Sequence, residues 1–565
     1  MGNIMSMNCA FCIRFPQKIP NIPIILVTSF TNFVISILIV KLARKLILSY
    51  CKPANYVKSP IYWQDLIYFI LPFVVFLLSL RQIIIIMSTI IGRKHEIEEL
   101  ERLYYSERPE FVAVYGRRRV GKTYLIKQAL KDKFTFQHTG VSPVDQEDEK
   151  NRMKTQLESF YYSMLNHGLE GFKQPKSWME AFFQLEQLLM KLDNGQRMVI
   201  FIDELPWMDT PRSRFLSAFE SFWNGWCNGR DNVMLVVCGS ATSWMLSNLS
   251  RSKGGLYGRL TDEIKVYPFT LKECEDYFEH ENIEMSRYDI VQSHMVFGGI
   301  PYYLSYFRKG YSFERNTDMI LFGSKPRLKD EFNRLFRAIF TNSDDCKKVI
   351  RLLATRNYGF TREEIASATG LPLGGGLSDT LSVLAESDFI LRYRPYGKGT
   401  GEYYKLIDNF CLFWLKYVEK NQENVTFIND NFTSDVMKAW RGVAFEQVCW
   451  QHISQIKRAL EIGGVRTSIS AWNVPGVEQK KGAQIDFLIL RDDNIVNMCE
   501  MKFYSSFYTV DKEEESKMLH RAGMLKDTLS SKQTVHITLV TTFGLVHGKH
   551  SGKIQKVVTI DDLFT

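Results

Sequence analysis

A parallel α/β sheet, followed by a helical segment and then by a second, C-terminal α/β domain, is the fold class that this 565-residue sequence predicts. Three observations predict it. Five apolar runs of strand length, near residues 111, 134, 198, 233 and 264, alternate with stretches of helical periodicity, the pattern of a parallel sheet. Residues 271–340 hold helical patterns without strand runs. Near the C-terminus, "GAQIDFLILRDDNIVNMCEMKFYS" reads as two apolar strands around an acidic turn, a hairpin signal.

Composition bounds the classes open to this chain. At about 100 to 200 residues per domain the length calls for three or four units. Apolar content of 45% with 24% charged residues is ordinary globular material, and no repeat or heptad suggests a solenoid or coiled coil. The ten cysteines are scattered singly, and Cys9 and Cys12 form a C-x-x-C without a second pair or nearby histidines. Disulfide and zinc frameworks are therefore not expected, and a reducing compartment is. Of the formal charge of +9, residues 1–86 carry +7 through eight Lys and Arg against one Asp, leaving +2 for the other 479. Any nucleic-acid binding by the main body must come from local patches.

Residues 1–86 form a hydrophobic, basic segment. Ile22 to Val40 is an uncharged run long enough to span a membrane, whereas Leu66 to Leu80 is shorter and carries Pro72. A two-span hairpin would put Lys41, Arg44, Lys45, Lys52 and Lys58 opposite the body, against the positive-inside tendency. Three readings stay open: a single span, an interfacial hairpin, or an extension outside the working protein, with "MSTIIGRKHEIEELERL" from Met87 as the natural start. The expectation is a cytoplasmic body, attached to the cytoplasmic membrane only if this segment is present.

Residues 87–270 carry the strongest motif. "FVAVYGRRRVGKTYLI" is an apolar strand, then G-x-x-x-x-G-K-T, then a helix start, a P-loop in its required context. Gly116, Arg117, Arg118, Arg119, Val120, Gly121, Lys122 and Thr123 form the nucleotide-binding loop. The glycines let the backbone curl so that N–H groups face phosphates, Lys122 supplies a point charge, and the Thr123 hydroxyl is suited to Mg²⁺. ATP and Mg are the expected cofactors. "MVIFIDELPWM" is a buried strand ending at Asp203 and Glu204; Asp203 would hold the Mg²⁺ shell and Glu204 would orient the attacking water. "VMLVVCGSATSWM" ends in Ser240, suited to sensing the γ-phosphate or, alternatively, to capping a helix. The nucleotide is expected at the carboxyl ends of the strands.

In chain order, "IIGRKHEIEEL", "GRRRVGKT", "VIFIDELPWM", "VVCGSATSWM", "LYGRLTDEIKVYPFT" and "GGIPYYL" resemble prokaryotic AAA+ ATPases related to STAND and origin-recognition ATPases, in the family with a C-terminal nuclease-like domain. The resemblance covers residues 87–565. It implies that Gly92, Arg93 and Glu96 cover the adenine side, that Arg259 is an arginine finger or sensor, and that Pro301 lies in a helical lid, residues 271–340, near the base. An ordinary surface ion pair is the other reading of Arg259.

Residues 341–425 are expected to form a winged helix and connector. From about 343 to 398 the order is helix, helix, turn, helix, hairpin, yet the recognition-helix position, Gly375 to Ser387, has no Lys or Arg and contains Asp379 and Glu386. Groove readers need cationic or amide side chains, so interdomain packing is favoured, with Arg392, Arg394 and Lys398 on the wing leaving backbone contact open. The aromatics of "YYKLIDNFCLFWLKYV" at helical spacing read as core.

Residues 426–565 hold a second candidate centre. With the hairpin centred on Asp493, Asp486 faces Glu500, and Lys502 shares the face of Glu500. Two like charges there want a compensating cation. In "AWRGVAFEQVCWQHI", Glu446 falls on an apolar helical stripe of Val443, Cys449, Trp450 and Ile453. Glu446, Asp486, Glu500 and Lys502 follow the order of the PD-(D/E)xK nuclease core, which by resemblance implies Mg²⁺ on the acids and a lysine at the attacking water. The motif's proline is absent, since Ile485 precedes Asp486. A polar hairpin whose charges pair among themselves is the competing reading. Lys480, Lys481, Lys517, Arg521 and Lys526 are candidates for a phosphate backbone or for a solvated face.

The expected function is an AAA+ P-loop ATPase controlling a metal-dependent nuclease domain that acts on nucleic acid. The alternative is a nucleotide-dependent switch or scaffold, membrane-tethered if residues 1–86 are present. An arginine finger acting in trans would require a homo-oligomer.

Overall fold

Five parallel strands organise the first half: β1 (Glu110–Tyr115), β2 (Phe134–Thr139), β3 (Met198–Asp203), β4 (Val233–Gly239) and β5 (Asp262–Lys265), in the order β2-β3-β4-β1-β5. Every residue of β3 and β4 is buried, which is why both read as continuous apolar runs. Alternate residues of β1 enter different cores. Val112 and Val114 join helices Lys94–Tyr104 and Lys122–Ala129; Phe111 and Ala113 join helices Arg152–Asn166, Trp178–Leu192 and Phe215–Gly225. After β1 the chain crosses to the far edge at β2, and after β4 it runs to the opposite edge at β5. The crevice of such a sheet opens between the carboxyl ends of those two strands.

The computed structural model describes residues 90–142, 151–251, 254–340, 342–397, 401–474 and 482–565, apart from the side chain of Asp486. The N-terminal segment 1–86 with its two apolar runs, Cys9 and Cys12, and Met87, Lys398, Lys480 and Lys481 lie outside the described residues. Among the described residues no helix is long and apolar enough to cross a membrane.

Five helices follow the sheet: Leu271–His280, Arg287–Phe297, Pro301–Leu304, Phe313–Leu321 and Glu331–Ile339. Thr270 and Glu273 close a capping box at the first, and Ser286 caps the second through Asp289 N. Helices Ser343–Leu353, Arg362–Thr369 and Gly375–Glu386 then combine with an antiparallel sheet of β6 (Phe360–Thr361), β7 (Ile390–Tyr393) and β8 (Tyr403–Leu406). The end of the recognition-position helix docks on the parallel-sheet domain: Glu386 pairs with Arg251 at 2.6 Å and Asp388 with Lys265 at 2.7 Å. Glu386 at the helix end and Asp388 just beyond it thus meet cations of the same chain. On the wing, Arg392 and Arg394 both face Glu402, at 3.6 and 3.1 Å.

The aromatic stretch after β7 divides between β8 and helix Asn409–Phe413, and Phe410, Phe413, Trp414 and Tyr417 are buried. Helix Asp435–Gln451 leads into β9 (Thr467–Val474), β10 (Ala483–Arg491) and β11 (Ile495–Lys502). Helix Lys512–Lys526 crosses to β12 (Thr534–Thr541), and β13 (Ile554–Thr559) completes the order β13-β12-β11-β10-β9. The first three strands are antiparallel, and β11, β12 and β13 are parallel, so the chain must cross over after β11, which it does through helix Lys512–Lys526, and again after β12. One apolar core runs without a break from β1 through the five helices and the winged helix to Phe445, Phe487 and Val540.

The expected stripe on Asp435–Gln451 needs correction. Its buried apolar residues are Met437, Trp440, Ala444, Phe445, Val448 and Cys449, a 3.6-residue period that leaves Val443 and Glu446 half-buried at its border. The helix also breaks at His452 before Ile453.

Candidate functional site

At the crevice, the P-loop backbone takes conformations that its glycines permit. Gly116 has φ 144° and Gly121 φ 91°, and a Cβ on Gly116 would lie 2.2 Å from the Val266 carbonyl oxygen. The loop closes around Lys122, only 5% exposed. Its Nζ donates to Gly116 O at 3.0 Å, Arg117 O at 3.1 Å and Ser240 Oγ at 3.1 Å. Ser240 Oγ in turn donates to Glu204 Oε1 at 2.7 Å, and Ser240 N to Glu204 Oε2 at 3.1 Å. Glu204 N donates to Asp203 Oδ1 at 3.0 Å, and Thr123 Oγ1 donates to Asp203 Oδ2 at 2.8 Å.

Lys122, Ser240, Glu204, Asp203 and Thr123 thus form one connected network contributed by the ends of β1, β3 and β4. Burial makes each of its bonds stronger than the same bond in water. Glu204 sits at φ 49°, a left-handed conformation that turns its carboxylate back toward Ser240 and is uncommon for a residue with a side chain. Ser240 does not cap the following helix: the N-cap position of Thr242–Met245 is Ala241. A hydroxyl and a carboxylate, Thr123 and Asp203, provide the hard oxygen donors that suit Mg²⁺.

The loop arginines do not gather on Lys122 but reach three different elements. Arg117 pairs with Asp408 at 2.8 Å, Arg118 lies over the Trp207 ring at 5.6 Å, and Arg119 pairs with Glu331 at 2.9 Å and covers Tyr302 at 4.2 Å. Val120 is buried, and its carbonyl accepts from Arg93 Nη2 at 3.4 Å. Arg93 is itself 7% exposed. Its second bond, 2.5 Å to Tyr267 O, and the Phe269 ring at 4.9 Å make it a brace behind the loop. Gly92, at φ 65°, lies so close to Glu273 that a Cβ would be 2.4 Å from Oε1, and Glu96 faces Arg93 at 3.7 Å. Pro301 opens the short helix whose Tyr303 hydroxyl donates to Glu331 Oε1 at 2.9 Å. Arg259 is exposed just after the turn that its N–H closes on Leu256 O.

A cleft of about 860 Å³ separates the ends of β3 and β4 from the winged helix. Trp207, Asp209 and Trp244 line one side and Asp379 and Thr380 the other, so the recognition-position helix forms a wall of this cleft. Burial pushes the Asp209 carboxyl up, while its hydrogen bond from Trp244 Nε1, 3.0 Å, pulls it down.

The C-terminal hairpin has the register its turn predicts over Leu488↔Met498, Ile489↔Asn497 and Leu490↔Val496. The described pairing stops there, and the ladder between β10 and β9 shifts between Ile485 and Leu488, the signature of a bulge beside Asp486. The Asp486 side chain lies outside the described residues. Glu500, 8% exposed, pairs with Arg521 at 3.2 Å, and Lys502 donates to Glu514 at 3.1 Å. Burial raises Glu514, but the Lys502 hydrogen bond and charge hold it below its ordinary range. Glu446 accepts from Asn357 Nδ2 of the winged helix at 2.5 Å. Among the described residues no three His, Cys, Asp or Glu side chains converge as a metal site. Glu500 and Lys502 thus make ion pairs and Glu446 a polar contact, while the fourth member of the expected set, Asp486, has its side chain outside the described residues. Lys517 answers Glu513 and Glu514, at 2.8 and 3.2 Å, so it and Arg521 are spent within the domain, while Lys526 ends the crossover helix.

Sequence reasoning missed Asp408 and Glu331, the carboxylates that hold Arg117 and Arg119. Neither lies in a motif, and only the fold brings them to the loop. Tyr302 and Tyr303 stood inside "GGIPYYL" and were the available signal.

Residues 90–307 match the ATPase_2 family, described as an ATPase domain predominantly from Archaea. An uncharacterized protein of Methanocaldococcus jannaschii is 26% identical over 411 residues, 72% of this chain and 85% of that one. An uncharacterized ATP-binding protein of the same organism is 49% identical over 43 residues, 8% of this chain and 73% of that one. Among solved structures, a Walker-type ATPase of Pyrococcus abyssi is similar at 19% identity and a TM-score of 0.41, covering 58% of this chain and 97% of that one. The ORC2 protein of Aeropyrum pernix in its ADPNP–ADP complexes is similar at 15% identity and a TM-score of 0.36, covering 60% and 95%. Residues 90–307, the span that matches the ATPase_2 family model, thus carry a P-loop whose Lys122 and Thr123 gather with Asp203 and Glu204 at the ends of β1 and β3.

Proposed function

We propose that this chain hydrolyses ATP at the P-loop and that the nucleotide state controls its C-terminal domain. The continuous network from Lys122 through Ser240 and Glu204 to Asp203 and Thr123 carries this reading. The loop N–H groups receive the phosphates, Lys122 exchanges carbonyl partners for phosphate oxygens, and Glu204 orients water for in-line attack. Thr123 and Asp203 would hold Mg²⁺, which when bound neutralises phosphate charge. Ser240 donates one bond to each Glu204 oxygen, which holds the carboxylate in place and leaves a second lone pair on each oxygen to accept from water. Phosphate release by the full chain, compared with Lys122→Ala, tests the proposal: equal turnover in the two would sink it.

For the C-terminal domain, the ion pairs of Glu500 and Lys502 favour a nucleotide-dependent switch or scaffold. The second reading, an Mg-dependent nuclease on DNA or RNA using Asp486, Glu500 and Lys502, draws support from the hairpin register and the crossover from β11 to β12. Incubating the full chain with DNA and RNA, Mg²⁺ or Mn²⁺, with and without ATP, separates the two. Cleavage abolished by Asp486→Ala supports the nuclease, and no cleavage under any condition supports the switch. Arg259, exposed, suits action in trans on a neighbouring subunit; sizing the full chain with ATP and with ADP tests that homo-oligomer.

A further inference from the structure

The three arginines after Gly116 act as anchors spread over three elements, and two of them end on buried carboxylates. Asp408, between the wing strand β8 and helix Asn409–Phe413, uses Oδ1 to cap that helix through Cys411 N at 2.7 Å. Its Oδ2 lies 2.8 Å from Arg117 Nη2, with the two side chains 4% and 2% exposed. Arg117 Nε and Nη2 make no hydrogen bond, so charge and the Phe389 face at 5.2 Å hold the guanidinium rather than aligned donors. Glu331, 3% exposed, takes Arg119 on Oε2 at 2.9 Å and the Tyr303 hydroxyl on Oε1 at 2.9 Å.

A loop with φ values of 144° at Gly116, 71° at Arg119 and 91° at Gly121 has little stiffness of its own. Something outside it must hold the curl, and a preformed curl lowers the ordering cost of binding. A buried guanidinium stripped of its counter-charge is strongly unfavourable, so Asp408 and Arg117 must keep their relative placement while the loop is empty.

We propose that Asp408 and Glu331 are positioning residues of the nucleotide site: through Arg117 and Arg119 they hold the P-loop ready for phosphate and couple its occupancy to the winged helix and the helical lid. This rests on the P-loop being the ATP site. The carboxylates touch no phosphate and act only through the arginines.

The test uses the full chain and titration of a fluorescent ATP analogue, with thermal melting alongside. Asp408→Asn keeps the helix cap but removes the charge; pairing it with Arg117→Met leaves no unpaired ion; Glu331→Gln probes the lid side. The expected loss of nucleotide affinity is about tenfold in R117M/D408N and in E331Q, the scale of one charge-assisted contact. R117M, D408N and the double variant should lose by similar factors, because they share one pair. Affinity within about twofold of wild type in both R117M/D408N and E331Q would overturn the proposal, on the same scale. Tighter binding by D408N would also overturn it, since the carboxylate would then compete with phosphate. So would lowered melting temperatures with unchanged affinity in the folded fraction, the mark of a purely structural pair. Lys122→Ala separates this failure from that of the ATP site: if K122A binds like wild type the site itself is misassigned, whereas K122A failing beside normal R117M/D408N removes only the positioning role.

Discussion

Substituting Ser240→Ala is expected to lower ATP turnover by roughly 10- to 100-fold, as one lost charge-assisted hydrogen bond of about 1.5 to 3 kcal/mol implies when it acts at the transition state. The hydroxyl is 2% exposed and stands between two charged groups, accepting from Lys122 at 3.1 Å and donating to Glu204 at 2.7 Å. Alanine removes both contacts but keeps the backbone bond from Ser240 N to Glu204, so Glu204 stays tethered while losing half its restraint. Phosphate release at saturating ATP gives kcat, titration of a fluorescent ATP analogue gives affinity, and a melting curve reports the fold. The reasoning predicts a fall in kcat larger than the loss of affinity, with little change in melting. A helix-capping serine would behave in the opposite way, losing stability while each folded molecule turned over normally. That result, or a kcat within about twofold of wild type, would refute the role assigned to the network.

Three further outcomes follow from the same geometry. Glu204→Gln should cut turnover by about 100-fold or more, the range of a lost general base, while retaining nucleotide affinity; a parallel loss of affinity would place Glu204 in binding instead. Gly116→Ala should destabilise the fold by about 2 kcal/mol or more in urea unfolding, because its Cβ would meet the Val266 carbonyl at 2.2 Å. Burial pushes His138 and His294 down to about 3 and His452 to about 4. With folded values below the unfolded one, their stabilisation is whole above about pH 6.5 and drains away as pH falls, about 2 kcal/mol per histidine at pH 5. Urea titrations at pH 8 and pH 5 check this, and His138→Gln should reduce the slope by about one proton.

Local chemistry explains which parts of the molecule were legible in the chain. Each strand of the parallel sheet is a contiguous apolar run with its own turn signal, and the P-loop needs four residues between two glycines, a Lys-Thr pair after them and a strand before them. The hairpin register was readable from the Asp493 turn because strand periodicity is two and the turn sets the phase. Glu446 was misplaced because a helical stripe read from four apolar residues is ambiguous by one position, and the buried set centred on Ala444 and Val448 leaves it at the edge. The ion pairs at Glu500 and Lys502 were hidden for another reason: Arg521 and Glu514 come from the crossover helix, whose angle over the sheet no local pattern encodes.

Lys122, Thr123, Asp203 and Glu204 are readable from the chain alone, because they sit in short motifs whose geometry follows from the strand ends that carry them. Tertiary structure alone decided what surrounds that chemistry. Asp408 is 291 residues from Arg117 and Glu331 is 212 from Arg119, and such pairs exist only when sheet, lid and winged helix close on one core. It also decided that the recognition-position helix faces Arg251 and Lys265 of its own chain. Charge complementarity over long separations has no local signature, because a lone acidic residue in a sequence looks the same whether it meets water or a buried guanidinium.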